Sequence, residues 1–250
     1  MSDTAPRGTL GTVHNAALLL ELLGSGPLRH QITDLAERSG MSLATLHRLL
    51  RSLVAAGLVE QDPASSRYGL GPQLLRLAEQ YRSRQPVLQS ASPFLVELRD
   101  RTSATVRLTV LVEDETVEID RLDGEDVGGV FRDANRIAKA AHSAAGRVLL
   151  AHTDETTCKR ALEEAPIELD SDTAEARRDW QEAAYVLLPA VSAADRPEVA
   201  APLRDGTGAV VAALSVTGPA SRLTPETLEV QVVPHLLRAS AAVSRALGHA

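Results

Sequence analysis

The 250-residue chain contains a single cysteine, Cys158, so no internal disulfide can form. No Cys/His spacing matches a metal site, and Cys158 reads as a plain helix residue rather than a nucleophile. No run of about eighteen apolar residues is present, which excludes a membrane-spanning helix. The opening stretch MSDTAPRGTLG has neither the basic start nor the apolar core of a signal peptide, so the expected location is the cytoplasm. Lysine is scarce, at two of 26 basic residues. Enzyme signatures are missing too. There is no G-x-S-x-G elbow and no glycine-rich phosphate loop, and the histidines at 14, 30, 47, 142, 152, 235 and 249 lack metal-ligand spacing. His142 and Ser143 are adjacent, but neighbours on a helix or strand do not face each other, and no third orienting group accompanies them. The expectation is a non-enzyme without cofactor or metal.

What is present describes a folded, soluble protein. Hydrophobic residues make up 44% and charged residues 24%, and the length suits two domains of ordinary size. The net charge of −7 seems unsuited to nucleic acid, but its distribution matters more than its sum. Residues 1–80 hold seven Arg and seven Asp/Glu, so the acidity belongs wholly to the remainder. Phosphate binding needs only a local basic surface.

Such a surface lies in MSLATLHRLLRSLVAAGLV, residues 41–59, which contains no acid. Leu46, Leu49, Leu50, Leu53 and Val54 recur at helical spacing and form an apolar stripe. The opposite face carries Ser42, Thr45, Arg48 and Arg51, with His47 beside them. Ser42 caps this helix and Gly57 ends it. Before it lies the short amphipathic segment ITDLAERSG, with Thr33 as N-cap and Gly40 as stop, and a longer helix that Thr12 caps and Gly24 closes. Two short helices joined by a turn at Gly40 make a helix-turn-helix, and LVEQ-DPASS-RYGLG adds a hairpin wing. In this motif the second helix enters the major groove, where hydroxyls and arginines read bases or hold phosphates. Tyr68 closes the wing on the core.

GPQLLRLAEQYRSRQ, with Pro72 at its start, reads as a helix that Pro86 interrupts, followed by one or two more over PVLQSASPFLVELRDRTS. The period then becomes two. Val106, Leu108, Val110 and Val112 share one strand face, and Asp114-Glu115 turns the chain into TVEIDRL. HSAAGRVLLAH and DTAEARRDWQEAAYVLL read as helices. EVAAPLRDGTGAVVAALSVTGP reads as two strands around Asp205–Gly208, and Thr224-Pro225 starts a long helix to about Leu247. This mixture predicts an α+β domain on an antiparallel sheet.

These residues resemble the IclR family of bacterial transcription regulators over nearly the whole chain. The resemblance rests on TLHRLLRSLVAAGLVEQDPASSRYGLGPQLLRLA in the first half, and on HSAAGRVLLA and VAAPLRDGTGAVVAALSVTGP in the second. It implies a winged helix-turn-helix over 8–71, a linker helix over 72–90 and a GAF-like effector-binding domain over 91–250. It also implies a double-stranded operator with inverted-repeat symmetry, a small-molecule effector, a repressor rather than an activator, and a homodimer that in many cases pairs into a tetramer. A C-terminal domain serving oligomerisation alone is the competing reading. The implied DNA-facing set is Thr33, Ser42, Leu43, Thr45, His47, Arg48, Arg51 and, in the wing, Arg67. Leu43 reads rather as a residue packed beneath the helix, and His47 equally as a packed histidine. The implied effector pocket takes in Val127, Ala144, Ala145, Ser215 and Thr217, the last two sharing a strand face. One segment departs from the family pattern: Leu188, Val191 and Glu198 stand where polar or small residues are usual. If Glu198 points into the pocket it disfavours anions, and the ligand is neutral or cationic. If it points to solvent, an apolar ligand is favoured.

Overall fold

A computed structural model describes residues 11–125, 136–164, 172–189 and 196–249. The chain divides into two compact units, 1–84 and 85–250.

In the first unit, helices α1 (Gly11–Gly24), α2 (Ile32–Ser39) and α3 (Leu43–Ala55) precede the strands β1 (Val59–Gln61) and β2 (Tyr68–Leu70), and helix α4 (Gln73–Arg82) follows. Gly40 ends α2 with φ 68°, a left-handed conformation that costs glycine little, and its N–H closes on the Ala36 carbonyl at 2.9 Å. Ser42 then caps α3, its hydroxyl accepting from the Thr45 N–H at 3.2 Å. Thr33 is not a cap. Helix α2 starts one residue earlier, with Gln31 in the capping position and no side-chain bond. The reason is upstream: His30 pairs its backbone with Tyr68, so the chain leaves that bridge extended and turns helical at once. Thr12 likewise lies within the first turn of α1.

Leu19, Leu23, Leu35, Leu46, Leu49, Leu50, Leu53, Val59 and Tyr68 form the core of this unit. Val54 does not join them and stays 38% exposed. One residue is about 100° of helix rotation, which carries it off the line through Leu46, Leu50 and Leu53.

The second unit opens with α5 (Pro86–Thr102), a single helix despite Pro93. The strands β3 (Thr105–Val112), β4 (Glu115–Leu122) and β5 (Ile137–Lys139) lead to helices α6 (Ala144–Ala151), α7 (Glu155–Glu164) and α8 (Thr173–Glu182). The strands β6 (Val186–Leu188), β7 (Glu198–Arg204) and β8 (Val210–Thr217) come next. A short helix α9 (Pro225–Thr227) runs through a π-turn into α10 (Val233–Ala246). The strands form one antiparallel sheet in the order β5-β4-β3-β8-β7-β6.

Alternation sorts the strand residues by face. Val106, Leu108, Val199, Ala201, Leu203, Ala212, Leu214 and Val216 pack with α5 and α10. On the other face Ala200 and Ala213 pack under α6. Two details differ from the sequence expectation. The helix expected through Leu188 stops at Glu182, and Val186–Leu188 pairs with β7 instead, where the β-branched and leucyl side chains gain a sheet partner. The last helix is interrupted because Pro234 has no N–H to offer the Val230 carbonyl, and the chain widens into the π-turn Leu228–Val232 just before it.

Cys158 is buried on α7, and burial pushes its thiol pKa up, as suits a packing residue. Gly146 is the tightest point of this layer, since a Cβ there would collide with the Ala140 backbone. Gly146→Ala is expected to destabilise the second unit by about 2 kcal/mol or more, because the obstacle is backbone and cannot rotate away. Thermal unfolding of the full chain measures this; an unchanged transition temperature refutes it.

Candidate DNA interface and effector site

The unsatisfied basic face of the first unit stands as expected. Arg48, Arg51 and His47 are exposed on α3, and Arg67 is exposed in the wing. Among the described residues none of the three arginines has an ion-pair partner, whereas the acids of the wing are already engaged. Arg29 holds Glu60 at 3.0 Å and Asp62 at 3.8 Å. Arg48 and Arg51 border a shallow hollow between α3 and the wing, of about 570 Å³, together with Ser52, Gln61 and Tyr68. Ser42 and Thr45 sit at the N-terminal end of α3, their hydroxyls 3.0 Å apart. Leu43 is 49% exposed, so it is not packed beneath the helix, and His47 is not packed either. Thr33 is exposed in the first turn of α2. Ser52 and Gln61 were not singled out in the sequence, although Ser52 lies four residues beyond Arg48 on the same helix face.

In the second unit, three adjacent strands bring the expected residues together. Ser215 on β8 pairs with Arg107 on β3 and Ala200 on β7; Thr217 pairs with Thr105 and Glu198. Alternation turns Arg107, Ser215, Thr217 and Glu198 to the α6 face of the sheet. Glu198 is 7% exposed, lies on a strand with neighbours on both sides, and does not face solvent. Its Oε2 accepts from the Ala144 N–H at 2.8 Å, at the first residue of α6. Ser143 caps the same helix, accepting from the Gly146 N–H at 2.9 Å. Ala144 and Ala145 are buried under the sheet. Thr217 spends its hydroxyl on the Pro197 carbonyl at 2.9 Å, which leaves Ser215 as the available hydroxyl of the two. Val127 and Val191 lie outside the described residues.

Charged neighbours complete the cluster. Arg107 stands 3.1 Å from Glu118, and Arg121 lies 3.9 Å from Glu118 and 2.7 Å from Asp123. The sequence reading passed over Arg107 and Glu118. The signal was there in the strand alternation, since polar residues interleave with Val106, Leu108 and Val110.

Burial raises the Glu198 pKa above its ordinary value of 4.5, and Glu118 adds to the rise; Arg107, Ser215 and the Ala144 N–H pull the other way without cancelling it. The folded protein therefore holds this proton more tightly than the unfolded chain does. The associated stability is complete below about the unfolded value and falls as pH rises through the folded one. Glu198→Gln keeps an acceptor for the Ala144 N–H and removes the charge. Its melting temperature is expected to exceed wild type at pH 8, with the gain shrinking as pH falls toward 4.5. Melting curves across that range check it, and a gain independent of pH contradicts the assignment.

Comparison with known proteins identifies both domains. Residues 12–63 match the IclR helix-turn-helix domain, and residues 79–182 match the C-terminal domain of bacterial IclR transcriptional regulators. The chain is 29% identical to the HTH-type transcriptional regulator XynR of Escherichia coli K12, over 95% of this chain and 97% of that protein. It is 29% identical to the glycerol operon regulatory protein of Streptomyces griseus, over 95% and 96% of the two chains. A crystal structure of a candidate IclR regulator from Silicibacter sp. TM1040 superposes with a TM-score of 0.79 at 28% identity, covering 96% of this chain and 97% of that one. The matched domains and these relatives are those of transcriptional regulators and not of enzymes. With both family domains present in order on one chain, this protein belongs to the IclR family of transcriptional regulators.

Proposed function

We propose that this regulator is a homodimeric repressor that binds an inverted-repeat operator and releases it when a small molecule occupies its second unit. In this reading residues 8–71 bind DNA, 72–90 connect, and 91–250 sense the effector. The observation that carries it is the exposed, unpaired trio Arg48, Arg51 and Arg67 on a capped helix and wing whose acids are neutralised by Arg29. Arg48 contacts base edges or nearby phosphates, Ser42, Thr45 and His47 supply polar contacts beside it, and exposed Leu43 is free to meet a thymine methyl. Thr33 and Arg67 reach the backbone.

Dimerisation has its own support. Helix α4 buries no residue within its unit, and Leu75, Leu77 and Tyr81 are 74%, 44% and 60% exposed. Leu77 and Tyr81 share one face of this short helix and Leu75 lies on another side, and large apolar groups left exposed around one helix are what a second copy covers. Two copies would then present two recognition helices to two half-sites. The effector site is the polar cluster of Glu198 and Ser215 against Ala144 and Ala145, with Thr217 at its margin.

Arg48→Ala is expected to weaken operator binding by about 1–3 kcal/mol, while Arg67→Ala weakens specific and random DNA alike. Gel-shift titration at matched salt measures both, and unchanged affinity for the Arg48 variant refutes its role. Leu75→Glu should shift the protein toward monomer at micromolar concentration; sedimentation velocity that finds the same assembly in both proteins overturns the α4 interface.

A further inference from the structure

The N-terminus of a helix is a ready seat for a ligand carboxylate, because its first N–H groups have no partner within the helix. In this chain the seat at α6 is already taken. Glu198 reaches it from β7, and its carboxylate holds the first N–H of the helix. An incoming anion would have to displace a group that is covalently tethered and buried. It would also meet Glu118, the second carboxylate of the cluster, 3.1 Å from Arg107.

The remaining groups show what would fit. Among the described residues Arg107 is the cation facing Glu198, and it is shared with Glu118, so Glu198 has no guanidinium to itself. The second observation is independent. The hydroxyl of Ser215 is fully buried, and although it lies close enough to Glu198 to act on its titration, it closes no hydrogen bond of good geometry. A buried polar group left in this state is uncommon and marks a place where a further partner belongs. The cluster reaches solvent through Arg107 and Glu118, whose side chains retain 20% and 12% exposure.

We propose that Glu198 is a built-in carboxylate occupying the anion seat of α6, and that the effector this site accepts is a small cationic or neutral hydrogen-bond donor, an amine, amidine or amide, bound between Glu198 and Ser215. This rests on the second unit being the sensor. A donor group pairs with the free lone pairs of the Glu198 carboxylate, an amidinium in the forked geometry that carboxylates favour, and offers Ser215 the partner it lacks. A carboxylate in the same place supplies no proton and adds like charge.

Benzoate, benzamide and benzamidinium have nearly one shape and carry charges of −1, 0 and +1. Titrated calorimetrically into the full chain, they should bind in the order benzamidinium, benzamide, benzoate, with the extremes separated by about ten-fold or more. Glu198→Ala vacates the seat, so benzoate should gain and benzamidinium lose by a similar factor. The Ala144 amide resonance locates the event: it should shift on Glu198→Ala and shift again when benzoate is added to that variant. If Glu198→Ala does not fold, Glu198→Gln serves, since loss of the charge alone should remove the preference for benzamidinium. Benzoate binding to wild type as tightly as benzamidinium overturns the proposal, as does an order that Glu198 substitution leaves unchanged, or binding of none of the three. DNA is absent from these titrations. A protein that retains operator binding and fails here loses only the ligand class, whereas a protein that never binds operator loses the regulator reading.

Discussion

A carboxylate inside a sheet is the constraint around which the second unit is arranged. Glu198 sits between two neighbouring strands, where water cannot solvate it, and an uncompensated charge there would be costly. The fold supplies compensation from two directions: an amide from the start of α6 and a guanidinium from β3. Each supplier is in turn fixed by something else. Helix α6 can press its first turn against the sheet only because Gly146 has no side chain to strike Ala140. Arg107 is steered by Glu118, which Arg121 also attends. Satisfying one side chain therefore sets the placement of a helix and the composition of two strands. An apolar residue at 198 would make all of this unnecessary, and would be easier to accommodate. Retaining a charge whose pKa burial raises is a sacrifice of stability of the sort found at functional positions, where a group is kept for what it binds.

The elements of the first unit were legible because each has a local cause. Gly40 and Gly57 end helices, Ser42 starts one, and DPASS turns the wing; all act within a few residues of themselves. The errors came where a distant partner decided. Thr33 has the right chemistry for a cap, but the bridge from His30 to Tyr68 moved the start of α2 ahead of it. The segment at Val186–Leu188 followed a helical pattern, yet β7 was waiting as a strand partner. Leu43 looked like a packing residue because leucine usually is one, and no sequence signal tells an exposed leucine from a buried one.

The polar cluster around Glu198 was only half legible, for a related reason. Ser215 and Thr217 could be paired by spacing alone, and Glu198 could be flagged as out of place. Whether Glu198 faced inward depended on which strand lay beside it, and the contact with Ala144 joins residues 54 apart in the chain. Arg107 and Glu118 escaped notice because the hydrophobic members of their strands drew the reading. In an alternating strand the polar members carry as much information as the apolar ones, since they describe the other face. Here that face holds the charges, and their mutual pairing is what a sequence cannot display.

The Arg29 contacts to Glu60 and Asp62 have a consequence for how salt acts on the first unit's basic surface. By occupying both wing acids, Arg29 leaves a small patch of unopposed positive charge on a chain whose net charge is −7. At physiological salt the Debye length is about 8 Å, so the distant acids of the chain are largely screened and a polyanion at contact meets the local positive charge. A contact made through so few cations neutralises few phosphates, releases few counterions and weakens only shallowly as salt rises.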